Sequence, residues 1–412
     1  MTAAPASAPP PANPDFLTSA FFRDPYPVYR HLLEQSPVFW CEDIGAWVVC
    51  PFEQVKQGLS DKRFVASGRI AAISAHFDGE ERARLQTVVS TLDRWMNFQD
   101  PPDHTRLRKL IGKAFTGQTV AALEPKIADI VNDLLDRALA APSFDLVAGF
   151  SFQLPALVIC QLLGVPFERR AQLREWSDGL AQFVSHSRVP LDVAEHAERM
   201  AAESRTYFRE LIAALRADPG DNLLSRLAVA APQEGLTDEE VASLAINLFF
   251  AGFETTEGLI GNMVKALADH PDQLALLRAD PSLAAAAVEE ALRFDSSVQK
   301  QSRIASVEVE ILGQTIRRGD YVHFLIGAAN RDPARFRQPE EFLITRPDAG
   351  NVSFGHGIHL CLGAPLARLE ARVAINGLLD RLPKLEIEQP GPEYPQLFAI
   401  RKPLALHLRN TS

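Results

Sequence analysis

The chain has 412 residues, of which 47% are hydrophobic and 23% charged, and a formal net charge of −10. That balance is ordinary for a globular protein with a core large enough to enclose a cofactor, and its acidity argues against nucleic acid as a partner. The four cysteines, Cys41, Cys50, Cys160 and Cys361, make no disulfide framework and fit a reducing compartment.

The opening residues, MTAAPASAPPPANP, carry neither the basic flank nor the apolar run of a signal peptide. They read as a short disordered tail over 1–14, ahead of one domain over 15–412. No window reaches the roughly 18 to 20 uninterrupted apolar residues of a membrane span, so a cytoplasmic protein without a membrane anchor is expected. Asp24-Pro25-Tyr26-Pro27 leads into a short helix with Val28, Leu32 and Leu33 on one face. The apolar runs Val38–Cys41 and Ala46–Cys50, separated by Glu42-Asp43-Ile44-Gly45, signal a hairpin. From Val65 to Asp100 periodicity is poor, which predicts a long irregular segment.

His104 and Arg108 then share a helix face at i and i+4, in a stretch that also carries Arg106, Lys109 and Lys113. On the residues alone this is a solvated basic helix. Helix follows helix to about Pro232, most clearly over Lys126–Ala140, where Ile127, Val131, Leu134, Leu135 and Ala138 align. Thr237-Asp238-Glu239-Glu240 is a capping box. The helix it starts runs to His270, ahead of Pro271, and would be roughly 45 to 50 Å long.

Within that apolar helix stand Glu254, Thr255 and Thr256. A carboxylate there costs several kcal/mol, of order, unless paired or hydrated. Gly252 and threonine hydroxyls bonding back to carbonyls would together open a groove. Glu290 and Arg293 form an E-x-x-R, one turn apart. The character then turns to β: Val307, Val309 and Ile311 alternate before a turn at Leu312-Gly313, with strands at Thr315-Ile316 and Tyr321–Leu325, and a last one near Leu404–Leu408.

Between these β segments runs F-G-H-G-I-H-L-C-L-G, Phe354 to Gly363, directly before an amphipathic helix with Leu366, Leu369, Val373 and Leu378 on one side. Pro365 suits the first helical turn. Cys361 thus precedes a helix N-terminus, where the macrodipole and free N–H groups favour a thiolate. Gly355, Gly357 and Gly363 let the backbone turn and pass close to something flat. Four readings stand on the residues alone: an inert buried cysteine, a zinc site with His356 and His359, a Cys/His nucleophile pair, and an axial haem ligand.

The order of these motifs resembles the cytochrome P-450 superfamily, from about Asp24 to the C-terminus. Phe354, Gly357, His359, Cys361 and Gly363 match its ligand loop, and Ala251–Thr256 its oxygen-binding helix. The resemblance implies a mainly α, single-domain fold with a smaller β portion, a helix-rich prism enclosing haem b. It implies Cys361 as the iron's axial ligand, Thr255 steadying bound dioxygen and Glu254 helping to deliver protons. It places His104, Arg108, Arg303 and His359 on the haem propionates, and makes Glu290, Arg293 and Arg346 a structural network under the cysteine loop.

By the same analogy Leu248, Ala251, Val298, Phe398, Phe183 and Val184 surround a small organic substrate. One oxygen atom from O2 would enter that substrate by hydroxylation or epoxidation. No fused flavin domain or iron–sulfur run occurs, so a separate ferredoxin and ferredoxin reductase are implied, with the basic stretch at Arg106, Lys109 and Lys113 as a docking surface. Two features depart from the pattern: Phe253 replaces a smaller or imidazole side chain, and Ser296-Ser297 replaces a proline, which leaves the path of Val298–Ser302 open. A peroxide-driven haem enzyme and a non-catalytic haem sensor remain as alternatives.

Overall fold

The 32-residue helix Asp238–Asp269 is the axis on which the other helices pack. The structure, a computed structural model, describes residues 16, 18–112, 115–186, 188–347, 350–388 and 391–410. The expected tail over 1–14 lies outside them. The axis starts as its sequence requires. Thr237 Oγ1 accepts a hydrogen bond from the Glu240 N–H at 3.2 Å, and Glu240 Oε2 accepts one from the Thr237 N–H at 2.8 Å.

The apolar surface of this helix changes partners half-way. Val241 to Phe253 pack into a core with Phe152, Ile159, Trp176 and Phe208, supplied by the helices Gln153–Leu163, Arg170–Ser185 and Leu191–Ala217. Leu259 to Leu267 pack into a second core with Ile127, Leu135, Ile375 and Leu378, from the helices Glu124–Ala138 and Ala364–Arg381. Glu254, Thr255, Thr256 and Glu257 occupy the seam between the two cores.

The five-stranded sheet runs in the order Val38–Cys41, Ala46–Val49, Tyr321–Leu325, Lys300–Ala305, Phe64–Val65. Only the contact of Ala46–Val49 with Tyr321–Leu325 is parallel among these pairings. Alternation sends Val322 and Phe324 to one face, where Phe324 fills the space beside Gly58, and Tyr321, His323 and Leu325 to the other. The hairpin Val309–Ile311 with Gln314–Ile316 turns at Leu312-Gly313, both at positive φ. Val307 lies outside the strand and is exposed.

Two expectations need correction. The segment 65–100 is not irregular: it holds the helices Arg69–Ile73, Gly79–Arg84 and Gln86–Asp93 and a turn at Met96–Phe98. Each is too short for a 3.6-residue period to show, and Ile70, Ile73, Val88, Leu92 and Trp95 anchor them in the core. Gly252 opens no groove, because the central helix is continuous through it. A Cβ there would stand 2.8 Å from Ile159 Cδ1, so the glycine permits close helix packing. The path at Ser296-Ser297 is settled by hydrogen bonds. Ser296 Oγ donates to the Leu292 carbonyl at 2.6 Å, and Val298 bridges Ile400 in the C-terminal segment.

Candidate active site

The cysteine loop is shaped by two residues in the left-handed region, Gly355 (φ +74°) and Gly357 (φ +72°). A Cβ on Gly357 would come within 2.8 Å of Ser60 Cα and 3.0 Å of the Leu59 carbonyl, neither of which can swing away. Gly363 has an ordinary φ of −82°, with nothing within 4 Å of its missing side chain. Its role is therefore to leave room, and the backbone there is not unusually turned. The Cys361 N–H donates to the Phe354 carbonyl at 2.9 Å and closes the loop. The Arg368 guanidinium covers the Phe354 ring at 4.5 Å.

Cys361 is exposed, yet crowding by protein raises its thiol above the usual range. Both observations hold for a side chain lining an enclosed cleft. The N–H groups of Gly363 and Ala364, and Arg108 and Arg368, pull the thiol back down without reversing the shift. The helix N-terminus thus lowers the thiol without outweighing burial.

Next to the loop the structure gathers His104, Arg108, Arg303 and His359. The rings of His104 and His359 lie 4.5 Å apart. His104 is 2% exposed and neither ring nitrogen has a hydrogen-bond partner. Burial, then His359 and Arg108, lower its pKa to about 4. Burial likewise lowers Arg303 to about 9, with Arg69 adding repulsion. The acid in this group is Asp100, which accepts from the Ser67 N–H at 2.8 Å and lies 3.9 Å from His359 Nε2. Burial alone would raise its carboxyl, but His359 and the backbone donors hold it below the usual range. Buried donors in excess of acceptors suit a ligand with two carboxylates, and an accessible thiol on a glycine loop with room for a flat ring suits its metal. These residues fit haem b.

On the central helix Leu248, Ala251 and Thr255 share a face. Ala251 is exposed and Thr255 half-buried, its Oγ1 donating to the Ala251 carbonyl at a long 3.4 Å. Glu254 turns away from that face and is wholly buried. Its Oε1 stands 2.7 Å from Lys402 Nζ as an ion pair, though the angles give neither Glu254 oxygen a directed donor. Lys402 also reaches Glu257 at 3.1 Å and Asp178 at 3.6 Å, and Arg174 reaches Glu257 at 3.5 Å. Burial raises Glu254 and Glu257 against the pull of Lys402. Lys402, Glu257, Asp178 and Arg174 were not foreseen. The glycines Gly258 and Gly261, which meet Arg401, Ser297 and Pro403, were the available signal that another segment crosses there.

Glu290, Arg293 and Arg346 form a buried network: Arg293 donates to both Glu290 oxygens at 2.8 and 2.7 Å, and Arg346 Nε lies 3.1 Å from Glu290 Oε2. Spare guanidinium protons go to the carbonyls of Asn330, Pro339 and Glu341, which fixes the chain leading to the cysteine loop. Of the residues expected around a substrate, Val298 and Val184 are half-buried. Phe183 and Phe398 are packed core side chains, the latter against Phe16, Phe21 and His323. Of the basic stretch, Arg106 is bound to Glu240 at 2.6 Å, Lys109 is exposed, and Lys113 lies outside the described residues.

A helical fold around a cysteine loop flanked by buried imidazole and guanidinium groups defines the class of haem-thiolate proteins. The family model described as Cytochrome P450 matches residues 74–407. The chain is 39% identical over 386 residues to the biotin biosynthesis cytochrome P450 of Bacillus subtilis, covering 93% of this chain and 95% of that one. It is 40% identical over 394 residues to cytochrome P450 monooxygenase PikC of Streptomyces venezuelae, covering 93% and 90%. The crystal structure of P450BioI with an acyl carrier protein ligated to hexadec-9Z-enoic acid superposes with a TM-score of 0.88, at 37% identity, over 95% of this chain and 99% of that one. The chain belongs to the cytochrome P450 family. It is a haem b monooxygenase that uses O2 and organic substrates, with electrons from a separate ferredoxin and reductase. Among the described residues no helix is long and apolar enough to cross a membrane.

Proposed function

We propose that Cys361 holds the haem iron, with His104, Arg108, Arg303 and His359 on the propionates, in a single domain over 15–412. The observation that carries this reading is buried His104, with neither ring nitrogen partnered, against the His359 ring and beside Arg303, next to an accessible thiol in a dense cleft. Haem bound there supplies the activation of O2, one atom entering the substrate and the other leaving as water.

The chain's own residues do the rest. Thr255 offers a hydroxyl loosely tied to the Ala251 carbonyl, and therefore able to turn its donor into the pocket. Glu254, paired with Lys402 rather than facing Thr255, serves as a proton reservoir that reaches the pocket when the pair opens. Leu248, Ala251, Val298 and Val184 present an apolar lining to an amphipathic substrate, and Phe183 and Phe398 back it from the core. The acyl chain of the P450BioI complex supports that class of substrate. Exposed Lys109 marks the docking face for an acidic electron donor. A cytoplasmic location is supported by four free cysteines.

The test is Cys361→Ser. The variant should keep its helical circular dichroism and lose the thiolate signature in the spectrum of its reduced, carbon monoxide-bound form. An unchanged spectrum would remove Cys361 from the reading.

A further inference from the structure

The strand Lys300–Ala305 points Lys300 and Ser302 to the sheet face that carries Tyr321, His323 and Leu325, and Arg303 to the opposite one. Lys300 is 5% exposed. Its Nζ donates to Ser302 Oγ at 3.4 Å and lies 5.2 Å from the centre of the Phe398 ring. Ser302 Oγ is in turn 2.8 Å from His323 Nδ1. No ion pair joins Lys300 to a carboxylate among the described residues. The charged neighbour is instead another cation, Arg69, whose guanidinium stacks over Phe98 at 4.6 Å and whose buried Nε has no partner.

A buried ammonium with no counter-charge costs several kcal/mol, of order, and a neutral side chain of the same length would make a more stable protein. Burial and Arg69 together pull Lys300 down to about 7, the response of a cation without its anion. Arg303, one of the residues assigned to the propionates, lies on the other face of the same strand. Two positions before Lys300 in the chain is half-buried Val298, bridged to Ile400. The place therefore combines a desolvated cation, a second cation near it, a hydroxyl, and the apolar ring of Phe398.

We propose that Lys300, backed by Arg69, recognises the carboxylate head of an amphipathic substrate whose apolar chain runs past Val298. This rests on the haem-thiolate oxygenase reading and deepens it by naming the substrate's charged group. Lys300 is a positioning residue here: it fixes how far along the chain oxidation falls, and takes no part in the chemistry.

The experiment uses the haem-loaded, full-length protein with dodecanoate, dodecan-1-ol and methyl dodecanoate, reading both the Soret shift and the change in melting temperature. Wild type should bind dodecanoate about tenfold or more tightly than the alcohol or ester, the range of a charged hydrogen bond. Lys300→Met should erase that preference while leaving alcohol binding in place, and Lys300→Arg should keep it. Lys300→Met should also melt higher than wild type without ligand. Equal affinities in wild type, binding of none of the three, or an undiminished preference in Lys300→Met would each overturn the proposal. If the reduced carbon monoxide spectrum lacks the thiolate signature, the broader reading fails, and the melting-temperature preference still decides this one.

Discussion

At the scale of single residues the decisive contact is Glu254 with Lys402. The wholly buried carboxylate is held by Lys402 at 2.7 Å, while burial, and after it the like charges of Glu257 and Asp178, keep its carboxyl above the usual range. Glu254→Gln leaves Lys402 its bond to Glu257 at 3.1 Å, so the fold should survive. Turnover should fall by about 10²- to 10⁴-fold if the carboxyl moves protons, with substrate affinity little changed. The check is a comparison of kcat and KM across pH: a carboxyl in the proton path gives wild type a pH-dependent limb that the variant lacks. Loss of affinity with kcat intact would mean that Glu254 only shapes the helix.

Arg293 is a second case. Its guanidinium is wholly buried and bonded to Glu290 and to three carbonyls. Arg293→Ala should cost about 3–5 kcal/mol, because Glu290 and the carbonyls lose their donors in a water-free site. Urea unfolding of the purified protein would measure it, and a loss under 1 kcal/mol would show that the network relaxes.

At the scale of elements, the central helix works because small residues let other segments approach it. Gly252 faces a flexible isoleucine, whereas a Cβ on Gly258 would meet the Arg401 carbonyl at 2.9 Å and Ser297 Cβ at 2.9 Å. Backbone cannot swing aside. Gly258→Ala should therefore push the C-terminal segment outward, pull Lys402 from Glu254, and lower both melting temperature and turnover. Gly252→Ala should cost less, since about 1 kcal/mol of helix propensity offsets the crowding. Equal effects of the two substitutions would contradict this assignment of which neighbour can move.

At the scale of the whole molecule, what could be read in advance followed contact distance along the chain. The capping box at Thr237, the hairpin of Val38–Cys41 with Ala46–Val49, and the turn at Leu312-Gly313 depend on neighbours a few residues away, and each carries its own signature. The Cys361 loop was legible as a run of ten residues with an unusual glycine spacing. Lys402, Asp178 and Lys300 were not, since an ion pair or its absence between distant segments leaves no local pattern. The short helices of 69–93 escaped for a related reason: tertiary packing, not propensity, holds them.

Unpaired buried cations also give the ligand-free molecule a pH signature. Lys300 has its pKa lowered from 10.5 to about 7 in the fold, so between those values the unfolded chain binds the extra proton. Stability should thus rise with pH across that window and, for this group, be fully present above 10.5. Thermal unfolding from pH 7 to 10 should show a shallower slope in Lys300→Met than in wild type. Identical slopes would mean that Lys300 keeps its proton when buried.

The join between Lys402 and the central helix has a consequence for how the protein is made. Glu257 leaves the ribosome 145 residues before its lysine does. At cellular rates of synthesis that is on the order of ten seconds, during which Glu254 lacks its cation and Glu257 has only Arg174. The seam is complete only once Lys402 has emerged. Aggregation during expression should therefore depend on how promptly the segment around Lys402 arrives, and slow codons just ahead of it should lower yield where slow codons ahead of Ser19 should not.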